Sequence, residues 1–135
     1  MKLVVDANVL IAALIKNGTS REVIMSGRFT LVSPDFMSLE LGNHIDLVSR
    51  NSGLSTKELA ILLTLLLKRV QTVPISECEG RLEEARKLME ADIDDVPYVA
   101  CYLSLKCDGI WTNGSDFKRT HDMKIYQTAD LLKLL

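Results

Sequence analysis

Apolar positions along this chain fall into short unbroken runs separated by longer stretches with helical spacing. Residues 2–6 are mostly apolar, with two valines, and predict a short buried strand. Residues 9–15 then read as a helix, stopped by Asn17 and Gly18. Thr19 and Glu22 have the spacing of a capping box for a second short helix to about residue 25. A strand follows at 29–32, closed by Ser33 and Pro34. Leu39, Ile45 and Val48 keep a helical period, which predicts one helix from 35 to about 49. Ser55 and Glu58 cap another, running to about 68. A short strand at 72–75 contains Pro74, so it belongs at an edge or a strand end. Ser76 and Glu79 then cap a helix with Leu82, Ala85, Leu88 and Met89 on one face. Asp94 or Asp95 starts a helix to about 106, with Pro97 in its first turn. A strand at 109–112, an edge strand at 124–126 and a terminal helix at 129–134 complete the order. Strands alternating with helices predict an α/β sandwich on a mostly parallel sheet. Without a repeat, a linker or a low-complexity segment, residues 1–135 read as a single domain.

Composition narrows the class. The chain has 135 residues, of which 47% are hydrophobic, enough for a core without disulfide or metal staples. A net charge of −2 does not advertise a nucleic-acid partner, although an acidic site can coexist with a local basic rim. Cys78, Cys101 and Cys107 are an odd number without metal-like spacing, and read as reduced, structural thiols of a cytoplasmic protein. The N-terminus opens directly on a strand, so no secretory leader is expected. The longest apolar run, residues 59–67, falls short of the roughly 20 residues of a membrane span and reads as a core or interface helix. If it exceeds what one small core can cover, a homodimer follows.

The candidate chemistry lies in where the acids fall. Asp6 closes the first strand, Glu40 lies mid-chain between Leu39 and Leu41, Asp92, Asp94 and Asp95 cluster before an apolar helix, and Asp116 follows the fourth strand. In a parallel α/β fold the carboxyl ends of neighbouring strands meet at one crevice. Carboxylates delivered there from separate segments repel one another unless a cation neutralises them, and a hard divalent ion with oxygen ligands is the usual one. No serine–histidine–acid or cysteine–histidine set competes, and there is no glycine-rich phosphate loop.

Taken together, Asp6-Ala7-Asn8 after a strand, Leu39-Glu40-Leu41, Asp95 five residues before Ala100, and Thr112-Asn113-Gly114-Ser115-Asp116-Phe117 resemble a PIN domain over essentially the whole chain. The resemblance implies a three-layer α/β/α sandwich with a Rossmann-like sheet and a Mg²⁺- or Mn²⁺-dependent ribonuclease. It also implies RNA as substrate and, as in many small prokaryotic members, a toxin of a VapBC-type pair with an antitoxin protein. It assigns Asp6, Glu40, Asp95 and Asp116 to the metal and to catalysis. Asn8, Asp92, Asp94, Thr112, Asn113 and Ser115 fall to the surrounding or substrate-facing positions. Asn8 also argues against a haloacid-dehalogenase-type phosphatase, which places a second aspartate there. Lys118, Arg119, His121 and Lys124 are further candidates for phosphate contact, or else an ordinary solvated loop.

Each acid has a second reading. Asp6 is also a good N-cap, Glu40 a solvated helix residue, Asp94 and Asp95 rival caps, and Asp116 a turn cap. The chain departs from the family pattern at Gly114, where the first of two acids is expected. That substitution keeps a catalytically weak or inactive RNA- or protein-binding module as the alternative.

Overall fold

The computed structural model describes residues 1–89, 95–114 and 123–135. Among them the chain forms strand β1 (Lys2–Val5), helices α1 (Ala7–Ile15) and α2 (Thr19–Met25), and strand β2 (Thr30–Pro34). Helices α3 (Phe36–Asn43), α4 (Ile45–Ser52) and α5 (Thr56–Leu67) follow, then strand β3 (Val70–Val73). A 3₁₀ segment (Ile75–Arg81) leads into α6 (Leu82–Leu88). Helix α7 (Val96–Ser104), strands β4 (Gly109–Trp111) and β5 (Ile125–Tyr126), and helix α8 (Thr128–Leu132) close the order.

The five strands form one sheet in the order β3-β2-β1-β4-β5, and every pairing is parallel. Leu3, Val4 and Val5 are buried on both faces, which is why β1 reads as an unbroken apolar run rather than an alternating one. Helix α1 packs with α2, α3, α4 and α5, while α7 packs with α6 and the 3₁₀ segment and lies on β1, β2 and β4. The result is the expected α/β/α sandwich. From β1 the chain crosses to β2 on one side and later returns to β4 on the other. The β1/β4 seam is therefore the point where the strand order reverses, and ligands of open α/β sheets bind outside the carboxyl ends there.

Several local expectations shift. The single helix predicted from 35 to 49 is two, broken at His44 (φ −109°, ψ 5°), whose Nδ1 donates to the Glu40 carbonyl at 2.8 Å. The Thr19 capping box does not form: the Glu22 N–H bonds the Gly18 carbonyl at 3.1 Å, so Gly18 is the cap and Thr19 already helical. Ser76 likewise sits inside the 3₁₀ segment rather than capping a helix. The third strand begins two residues early, and Pro74 lies just beyond its end, at the sheet edge.

All three cysteines are buried free thiols. Burial pushes Cys107 up to about 11 and Cys101 still higher, the latter helped by the neighbouring Cys78 and Cys107. Such thiols stay protonated and inert at neutral pH. Among the described residues no helix is long and apolar enough to cross a membrane.

Candidate active site

Asp6 stands at the carboxyl end of β1, on the reversal seam. Its N–H bonds the Trp111 carbonyl at 3.0 Å, which fixes it against β4. Its side chain begins α1 as the N-cap, taking the Asn8 N–H at 3.4 Å. Thr112, buried at the end of β4, donates its hydroxyl to Asp6 Oδ2 at 2.7 Å, and Asn8 Nδ2 reaches the same oxygen at 3.5 Å. The Gly114 N–H in turn donates to Thr112 Oγ1 at 3.0 Å, so a short relay runs from the loop after β4 to the carboxylate. Beside it, Ser33 donates to the Val5 carbonyl at 3.0 Å and ties the end of β2 to β1.

Asp6 is only 4% exposed. Burial raises its pKa above the ordinary aspartate value, against the lowering effect of the bonds from Thr112, Asn8 and Ala7. Among the described residues, the groups that bond its carboxylate are the donors Thr112, Asn8 and Ala7.

Glu40, half-buried on α3, is brought to the same place by Tyr98 of α7. The Tyr98 hydroxyl donates a short hydrogen bond to Glu40 Oε1. Burial, the Glu40 bond and charge, and the charge of Asp6 together push the phenol far above the ordinary tyrosine range, and the Ala7 N–H reaches it as well. One buried ring thus senses both carboxylates. Tyr98 was not among the residues singled out from sequence. A tyrosine inside an apolar helix reads as core, and the only signal for more is that a buried phenol needs a polar partner.

Asp95 is the residue that precedes α7, half-buried, and its side chain makes no helix-capping bond. Asn8 is exposed beside Asp6. Asn113 Oδ1 accepts from both the N–H and the hydroxyl of Thr128 at 3.0 Å, so it anchors the start of α8. Trp111 Nε1 and Ser20 Oγ meet the same Thr128 hydroxyl at 3.1 and 3.3 Å. Asp92, Asp94, Ser115 and Asp116 lie outside the described residues, as do Lys118, Arg119 and His121. Gly114 is not in the left-handed region, and a Cβ there would meet Thr112 Oγ1 at 3.4 Å, an ordinary contact. Its backbone therefore does not demand glycine. Among the described residues, no group of three or more His, Cys, Asp or Glu side chains is arranged to hold a metal ion.

A five-stranded parallel sheet with a buried carboxylate at its reversal seam, and a second acid from α3 on a buried phenol, defines a class of fold that comparison makes specific. The chain belongs to the PIN domain family, whose profile matches residues 4–131. No match is found among curated proteins. Among solved structures, a chain of VapBC2 from Rickettsia felis, bound to a DNA fragment from their promoter, is similar with a TM-score of 0.72. It is 15% identical, and the match covers 94% of this chain and 98% of that one. At that identity the likeness is one of fold.

Proposed function

We propose that this protein is a Mg²⁺- or Mn²⁺-dependent endoribonuclease that hydrolyses RNA phosphodiester bonds. Asp6 and Glu40 are the core of its cation site, and Asp95 and Asp116 complete the acidic set. The observation that carries the reading is Asp6: a nearly buried carboxylate at the β1/β4 crevice, bonded by Thr112 and Asn8, whose charge acts on the same phenol that bonds the Glu40 carboxylate. The donor set fits a hard ion, because it is all oxygen and Mg²⁺ takes only one or two direct carboxylates beside its waters. Such an ion, when bound, offsets phosphate charge and makes water a better nucleophile. Around it, Thr112 and Asn8 bond the Asp6 carboxylate, and exposure of Asn8 supports a role for its amide toward a phosphate oxygen. Free buried thiols suit a reduced, cytoplasmic setting.

The likeness to a VapBC2 chain supports extending the proposal to the toxin half of a pair, held in check by an antitoxin protein. The exposed Ile61 and Leu65 on α5 support a homodimer. A second reading, an inactive RNA- or protein-binding module, is favoured by Gly114 in place of an acid. One assay separates the two. Cleavage of single-stranded and structured RNA should require Mg²⁺ or Mn²⁺, vanish with EDTA, and be lost in Asp6→Asn. Cleavage that persists in EDTA, or in Asp6→Asn, contradicts the nuclease assignment. RNA binding without cleavage and without Mn²⁺ uptake supports the module. A short reading frame beside the gene, whose product copurifies and suppresses cleavage, is the expectation for the antitoxin.

A further inference from the structure

We propose that Tyr98 is a positioning residue for this site: its buried hydroxyl fixes the Glu40 carboxylate beside Asp6 and so sets where a divalent cation is held. The inference rests on the assignment of Asp6 and Glu40 as cation ligands. Glu40 projects from α3, a short helix that ends at the His44 break, on a side chain with three rotatable bonds. Ordering such a side chain costs conformational entropy, so an acid that must be preorganised needs a fixed anchor. Tyr98 is that anchor. Its ring is fully buried and is held edge-on by Phe36, with centroids 6.3 Å apart and planes at 72°. Its helix starts with Pro97 in the first turn and lies against β1, the strand that delivers Asp6. A phenol has a single proton to donate, and here it goes to Glu40. The contact joins α3 to α7 across 58 residues of sequence, so the hydroxyl ties the helix that carries Glu40 to a helix packed on the strand that delivers Asp6. Partners that orient metal ligands in this way typically carry a 10- to 100-fold effect on metal affinity, about the size expected here.

The test uses Mn²⁺ alone, without RNA. Calorimetry on the wild type, Tyr98→Phe, Glu40→Gln and the double variant should show Mn²⁺ binding weakened about tenfold or more by Tyr98→Phe. The same change should have no further effect in the Glu40→Gln background. In the metal-free protein, the Glu40 carboxyl ¹³C resonance should move in Tyr98→Phe. Glu40→Asp, whose shorter arm leaves the phenol, should lose affinity as Tyr98→Phe does, and serves if removing the hydroxyl costs the fold. Wild-type affinity in Tyr98→Phe or in Glu40→Asp overturns the proposal. So does an equal loss with and without Glu40, or an unmoved carboxyl resonance. A wild type that takes up no Mn²⁺ overturns the cation assignment itself and this proposal with it. A wild type that binds Mn²⁺ while Tyr98→Phe is indifferent overturns the positioning role alone.

Discussion

Asp6 serves two ends that pull on its charge in opposite directions. As the cap of α1 it accepts N–H bonds that favour the anion; as a buried group it is penalised for being one. Burial wins, and the folded-state pKa rises above the ordinary 3.8. The folded protein therefore holds this proton more tightly than the unfolded chain does. The stability gained from it is full below the unfolded value and is lost as pH rises through the raised one. Melting temperature in EDTA should decline over that window in the wild type and decline less in Asp6→Asn, since asparagine caps a helix as well but does not ionise. Parallel curves would show that Asp6 is solvated well enough to ionise freely. The position of Asp6 was legible because an apolar run that ends on an acid just before a helical pattern marks both a strand end and an N-cap. Thr112 was legible as a neighbour, and its hydrogen bond to Asp6 gives it a definite task. Asn113, set beside it as a substrate-facing candidate, is exposed and gives its Oδ1 to Thr128. Its spacing from the other site residues carried no information about which strand end its side chain would serve.

Among the elements, α5 shows a local signal fully realised. Ser55 Oγ accepts the Glu58 N–H and Glu58 Oε1 accepts the Ser55 N–H, both at 3.1 Å. Ser55→Ala should cost about 1 kcal/mol in urea or thermal unfolding, the usual size of a lost N-cap. The Ser55 N–H, and with it the Ser55 hydroxyl, lowers the Glu58 carboxyl pKa, so the contribution of Glu58 is present above the unfolded carboxylate value and fades as pH falls through the lowered one. An unfolding curve unchanged by Ser55→Ala would contradict the cap. The same sequence signature at Thr19 and Ser76 was misleading. At Thr19 the chain already turns at Gly18, and after Pro74 it winds as a 3₁₀ segment, with the Glu77 N–H on the Pro74 carbonyl at 3.0 Å. Backbone geometry set by the preceding residue overrode the side-chain option. The α3/α4 break was illegible for a related reason. Helical spacing ran through it, while the kink depends on a His44 side chain folding back onto Glu40. The buried strands were the most legible parts, since β1, β2 and β4 are short apolar runs that no amphipathic helix would produce.

For the whole molecule, the apolar run at 59–67 divides its duties. Leu59 and Leu66 are buried and Leu62, Leu63 and Leu67 pack against the core, whereas Ile61 and Leu65 are 53% and 43% exposed. Ile61→Glu should therefore shift a dimer toward monomer in sedimentation velocity without lowering thermal stability by more than a small amount, because the residue supports no core contact of note. A monomeric wild type at micromolar concentration would remove α5 as a self-association face. The borders of the sheet bear on the same question from the other side. One border strand, β5, has two residues, with Lys124 just before it and its ammonium 5.7 Å from the Tyr126 ring. The other, β3, has four and is followed at once by Pro74. Strands this short, flanked by a lysine and a proline, offer little backbone for a stranger to zip onto. Joining through a sheet rim can repeat without end, whereas two copies that meet on a helix face about a two-fold axis use up the face they share. The rims of this sheet thus give little purchase for open-ended growth, and a crowded solution of the protein should stay free of fibres.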